Sequence, residues 1–159
     1  MNELFATLYG WLKSFYAKNL DEYLLGYNCD TGVYDNPLLY GHVGWLTVGI
    51  SLVVVCLYYY VLNHPRFNRW WSWVLVLIGC AGINLFVGYF YTVTDYQTGM
   101  IGDCLMFTRD TAGGIIAYHI HIADCWMFGV ANALMSVLFF IIFSLALKWK
   151  SRNCKYTPF

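Results

Sequence analysis

The sequence predicts an all-α integral membrane protein with three transmembrane helices, an N-terminal amphipathic interfacial helix and an ordered outer loop cap. Three observations predict it. Three long runs carry no charge and no proline, the remaining charges are sorted along the chain, and aromatic residues gather at the run boundaries. The bulk composition agrees. Of 159 residues, 60% are hydrophobic and 11% are charged, against about 25% charged in an ordinary soluble domain. A single membrane domain over 1–159 is expected at this length.

The runs are 43–62, 71–93 and 126–147. A helix needs roughly 20 apolar residues to cross a hydrocarbon core of about 30 Å. Without water the backbone must bond to itself, so each run is expected to be helical. Trp45 and Tyr58–Tyr60 bracket the first run, Trp70, Trp71, Trp73, Tyr89 and Tyr91 the second, and Trp126 and Trp149 the third. Amphipathic rings favour the headgroup level. Residues 1–20 lack the basic start and apolar core of a cleaved leader, so the run from Val43 is expected to direct insertion.

Orientation follows from Lys and Arg near the run ends. Arg66 and Arg69 lie in the short turn 63–70, and Lys148, Lys150, Arg152 and Lys155 in the tail 148–159. All nine acids lie in 1–42 and 93–125. The N-terminus and the 94–125 loop are therefore expected outside, and the turn and the C-terminus in the cytoplasm. A bacterial inner membrane is the expected location. The basic tail is expected to contact anionic lipid or a cytoplasmic partner. With zero formal net charge, nucleic acid is not an expected partner.

Residues 1–25 read as the amphipathic helix, with Leu4, Phe5, Leu8, Trp11, Leu12 and Phe15 on one face. It lies on the outer leaflet or packs against a neighbouring subunit or the outer loop. Counting it as a fourth span would put Lys13, Lys18, Asp21 and Glu22 in the bilayer, at about 2.5–3.5 kcal/mol for each central charge. Residues 26–42 form a turn-rich outer connector. The 94–125 loop is long for a connector, which points to function or a small folded cap. A break near Asp124, or a helix projecting outward, is expected before the third run.

Cys29 and Cys104 fall in outer segments, where disulfides persist, and form the candidate disulfide, with Cys125 as an alternative partner. His119, His121, Asp124 and Cys125 are the one cluster with metal-ligand chemistry, suited to zinc or copper but without a recognised spacing. No cofactor is expected. No nucleophile elbow, phosphate loop or paired carboxylate occurs, and no run contains a charge that could relay protons.

Polar and small residues do form stripes. Thr47 and Ser51 share a face of the first run. Ala81, Asn84 and Gly88 share a face of the second, and Gly129, Asn132, Ala133 and Ser136 a face of the third. Such stripes let helices approach and hydrogen-bond, or line a polar path in an oligomer. The sequence thus points to a small non-enzymatic membrane protein: an oligomeric sensor, scaffold or anchor subunit of a membrane complex. A homo-oligomeric channel or pore-forming effector is the alternative, and a metal- or thiol-dependent membrane enzyme a distant third.

Overall fold

The computed structural model describes residues 2–61, 70–110 and 114–148. It is mostly helical. The helices are α1 (Asn2–Gly10), α2 (Lys18–Leu24), α3 (Leu39–Cys56), α4 (Trp70–Thr98), α5 (Asp103–Met106) and α6 (Ile122–Lys148). A 3-10 turn at Lys13–Phe15 lies between α1 and α2, and a π-helical turn at Leu57–Val61 extends α3. Three helices are long and apolar enough to cross a membrane: Leu39–Tyr60, Trp70–Thr98 and Ile122–Leu147. Most of the 63–70 turn and the tail beyond Lys148 lie outside the described residues.

These helices exceed the apolar runs at the ends nearer the N-terminal arm. α4 continues past Val93 because Thr94 and Thr98 bond their hydroxyls to the carbonyls of Phe90 and Thr94. Gly99 stops it with a φ of 71°, and the Met100 amide returns to the Asp95 carbonyl at 3.1 Å. Only glycine adopts this left-handed cap without strain. Gly26 closes α2 in the same way, with a φ of 88° and the Tyr27 amide on the Glu22 carbonyl at 3.0 Å. α6 begins at Ile122, four residues earlier than the third run, with Asp124 in its first turn. The loop expected over 94–125 is therefore shorter at both ends.

α4 and α6 make the closest pair, and α3 lies against both. Small residues set the α4–α6 distance. A Cβ on Gly129 would stand 2.7 Å from the Leu85 carbonyl oxygen, and one on Gly88 would stand 2.9 Å from the Asn132 Cβ. The core has two parts. One part, at the end of the bundle that carries the N-terminal arm, joins Phe5, Tyr9, Tyr16, Leu20 and Leu24 to Tyr40, Phe128 and Met135. The other, at the opposite end, holds Val55, Tyr58, Tyr59, Trp73, Cys80 and Phe140. The outward faces of the long helices are apolar, with Leu75, Ile78, Ile83, Phe86, Leu134 and Ile142 exposed.

Residues 1–25 do not form one amphipathic helix. The chain breaks after Gly10 and again at Tyr16, which is extended at φ −134° and ψ 169°. The break turns the Tyr16 ring edge-on to Phe128 at 5.4 Å. It also frees the Ala17 amide to bond Asp124 Oδ1 at 3.1 Å. The buried seam of this arm is Phe5, Tyr9, Tyr16, Leu20 and Leu24, whereas Leu4, Trp11 and Phe15 are exposed. The arm packs on its own chain: α1 on α3, the 3-10 turn on α6, and α2 on α5.

The outer loop contains strands that helical periodicity did not reveal. β1 (Phe107–Arg109) pairs antiparallel with β2 (Ile115–Tyr118), with Phe107 opposite Tyr118 and an irregularity after Thr108. Ile101, Leu105 and Ile120 are buried and fix this cap to the part of the core beside the N-terminal arm.

Close packing at Gly129 gives a stability prediction. Gly129→Leu should destabilise the purified protein by about 1–3 kcal/mol through overpacking. Gly79→Leu should change little, because nothing lies within 4 Å of a Cβ at that position. Thermal unfolding in detergent measures both, and equal effects would contradict this account of the α4–α6 contact.

Candidate functional site

The polar side chains of the long helices are gathered inside the bundle. Thr47, Ser51, Asn84, Asn132, Ser136 and Ser144 are each 0% exposed. Polar groups removed from water must find partners there. Asn132 links three of the other segments. Its Oδ1 accepts from the Tyr9 hydroxyl and lies 2.8 Å from Thr47 Oγ1, and its Nδ2 donates to the Asn84 carbonyl at 2.7 Å. Asn84 Nδ2 donates to the Cys80 carbonyl at 3.0 Å, and the Cys80 thiol lies 3.7 Å from Ser51 Oγ. The Asn84 Oδ1 atom is buried without a hydrogen-bond partner. Burial pushes the Tyr9 phenol well above the usual tyrosine range, so it remains a donor.

The predicted stripe residues thus divide. Thr47, Ser51, Asn84, Gly88, Gly129, Asn132 and Ser136 are buried between helices, while Ala81 and Ala133 are half-buried beside them. Ser136 turns back onto its own helix, donating to the Ala133 carbonyl at 2.7 Å. Gly44 shares the face of Thr47, and the Phe5 ring lies directly against it, leaving no room for a side chain. Toward the end of the bundle away from the N-terminal arm, Tyr59 and Ser144 share a hydrogen bond of 2.6 Å, and Trp73 Nε1 donates to Ser144 Oγ at 2.9 Å. Tyr59 and Trp73 are therefore core residues, not boundary rings. The π-helical turn brings Tyr58 and Tyr59 both inward, with their rings edge-to-face at 5.0 Å.

At the other end of the bundle the N-terminal arm is tied to every long helix. The Tyr40 hydroxyl of α3 donates to Asp21 and accepts from Tyr16 across 2.7 Å. The Tyr23 hydroxyl donates to Asp95 of α4 at 3.1 Å. Asp124 of α6 receives the Ala17 amide, and the His121 amide at 2.8 Å. Cys29 and Cys104 stand at disulfide distance, with Cα atoms 5.9 Å apart. A side chain on Gly102 would collide with the Cys29 sulfur, so that pair needs a glycine there.

Two of the four residues considered for zinc or copper have their side chains engaged elsewhere, and the other two do not join them. His119 Nε2 pairs with Thr108 Oγ1 at 2.6 Å, Asp124 caps backbone amides, and Cys125 is a buried free thiol. His121 is exposed, its amide on Asp124. Among the described residues no group of three or more His, Cys, Asp or Glu is placed to hold a metal. The Lys150, Arg152 and Lys155 side chains of the tail lie outside the described residues, and Lys148 marks the end of α6.

Sequence reasoning missed Tyr9, Tyr16, Tyr40 and Asp21. A signal for the first was present. Phe5 and Tyr9 stand four apart, as do Tyr16, Leu20 and Leu24, the spacing of one helical face. No protein-family model, curated protein or solved structure matches the chain.

Two tests follow from this geometry. Asn132→Ala leaves the Tyr9 hydroxyl without its acceptor, while Thr47 keeps the Val43 carbonyl, and should cost about 1–2 kcal/mol of stability. A double-mutant cycle with Tyr9→Phe should give a coupling above about 0.5 kcal/mol, whereas additive effects would separate the two residues. Reducing Cys29–Cys104 opens a loop of 75 residues and should lower stability by at most about 4 kcal/mol. Thiol alkylation before and after reduction, followed by unfolding, reads both the bond and its effect.

Proposed function

We propose that this chain is a small, non-enzymatic integral membrane protein that serves as a sensor or anchor subunit, in a homo-oligomer or a larger membrane complex. The N-terminal arm and the cap face the oxidising outer side, and the basic tail faces the cytoplasm, as across a bacterial inner membrane. What carries this reading is the contrast between two surfaces. The long helices turn apolar side chains outward and keep their polar ones for each other. The polar surface of the described residues collects at one end, in a cap held by Cys29–Cys104 and by ties to α3, α4 and α6.

Several observations support a bilayer as the surroundings. The exposed rings Trp45, Trp70, Trp71 and Trp126 are 42–61% exposed, as boundary rings need to be. The arm's exposed Leu4, Trp11 and Phe15 suit the outer headgroup region while its opposite face grips the bundle. A disulfide suits an oxidising compartment. The sensor reading is preferred to a pore because Thr47, Ser51, Asn84 and Asn132 are bonded within one chain, leaving the outward helix faces apolar. The stripe Gly79 and Gly82 on α4 has open space before it and offers a close-approach face to another helix.

The test combines stoichiometry, flux and topology. In mild detergent the protein should run as an oligomer or with a co-purifying subunit. Reconstituted vesicles should show no ion flux above empty ones. An accessibility probe should label the cap from outside and the 148–159 tail from inside. A lone monomer without partner would refute the subunit role, and flux that Asn84→Leu abolishes with assembly intact would favour the pore.

A further inference from the structure

Beside the disulfide the cap holds a cleft of about 570 Å³, within the size range of small-molecule sites. One wall comes from the connector after α2, with Tyr27, Asp30 and Asn36. The other follows α4, with Met100 and Asp103, and Tyr23 of α2 also lines the cleft. Cys29 belongs to the first wall and is bonded to Cys104 just beyond the second. The disulfide therefore holds the two walls at a fixed separation. The left-handed Gly26 and Gly99 caps turn the chain into each wall.

The lining chemistry is one-sided. Two tyrosine rings and two carboxylates face the cleft, and no Lys or Arg lines it. Asp103 is paired with Arg109 at 2.8 Å. Asp30 is in no ion pair among the described residues, and only its amide is bonded, to Asn28 Oδ1 at 3.0 Å. The Tyr27 ring is braced edge-on by Tyr34 at 5.3 Å, while its hydroxyl and the Asn36 side-chain carboxamide have no hydrogen bond within the described residues. Rings braced beside an uncompensated carboxylate are what an ammonium group needs, since ring faces and carboxylate both attract a cation.

We propose that this cleft binds a small organic cation carrying a primary or quaternary ammonium group. The site deepens the sensor reading and rests on it only for the side from which the ligand arrives. The bound cation sits against Tyr23, whose hydroxyl donates to Asp95, so occupancy is felt directly at the outer end of α4.

The probe is choline chloride, titrated calorimetrically into the full chain in maltoside detergent, with ethylammonium chloride as the primary amine. The expected result is saturable binding of at least one of the two, weakened about tenfold by Asp30→Asn and by Tyr27→Leu. Asp35→Asn, a connector carboxylate outside the cleft, should leave the affinity unchanged. No saturable binding of either probe would overturn the proposal, and so would equal weakening by Asp35→Asn, which marks general charge attraction. Asp30 is exposed, so its variant tests binding without disturbing the core. Repeating the titration in phosphatidylcholine and phosphatidylglycerol vesicles separates the sources. Loss of choline binding only in phosphatidylcholine identifies a lipid headgroup as the occupant, and equal binding in both identifies a free amine. No binding while a partner subunit still co-purifies removes the ligand and leaves the sensor reading. Binding by a lone monomer does the reverse.

Discussion

The structure depends on one side chain, Asn132 of α6. Its amide holds the Tyr9 hydroxyl of α1, the Thr47 hydroxyl of α3 and the Asn84 carbonyl of α4. Four segments meet at a single group of three heavy atoms. A carboxamide suits this position because it accepts on one side and donates on the other without charge. In surroundings as apolar as the outward helix faces, hydrophobic burial does little to choose one helix register over another. Directional hydrogen bonds do choose, because only one arrangement satisfies them. Gly88 and Gly129 bring the backbones close enough for those bonds to form.

The arm and the cap extend the same logic outward. Phe5, Tyr9 and Tyr16 fill the cleft between α3 and α6 with rings, Tyr9 being stacked on Tyr40 at 5.1 Å and on Phe128 at 5.7 Å. Each of these tyrosines also places its hydroxyl on a partner within reach, as buried phenols generally do. Beyond them the polar ties to Tyr40, Asp95 and Asp124 set the arm against all three long helices. The covalent Cys29–Cys104 link then joins the connector to the loop. Cap and bundle form one piece, and a displacement of α2 is shared by three helices at once.

The three long helices were legible in the sequence because missing charge over 20–23 residues is a local property. The stripes were legible because helical periodicity places Asn84 with Gly88, and Gly129 with Asn132. What each stripe meets was not, since Thr47 finds Asn132 across 85 residues. Cys29 and Cys104 could be matched because both lay in segments expected on one side. The arm was misjudged for a physical reason. Its hydrophobic residues occupy more than one face: of the six read as one stripe, Phe5 is buried and Leu8 and Leu12 pack against the core, while Leu4, Trp11 and Phe15 are exposed. The β hairpin was missed because three- and four-residue strands leave almost no alternation to detect. Trp73 and Tyr59 looked like boundary rings by position, and only the tertiary arrangement brings them to Ser144.

The hydrogen bonds of Thr47 carry a consequence for the order of synthesis. Its hydroxyl lies 2.9 Å from the carbonyl of Val43, on its own helix, as well as near Asn132. Asn84 likewise reaches back to Cys80, and Thr92 to Gly88 at 3.0 Å. α3 and α4, made first, can therefore rest in an apolar phase with these groups already satisfied within the helix. Asn132 has no such bond to its own helix, and it emerges last. Asn132 thus becomes available only after Tyr9, Thr47 and Asn84, its three partners, have been made, and the arrival of α6 closes the network.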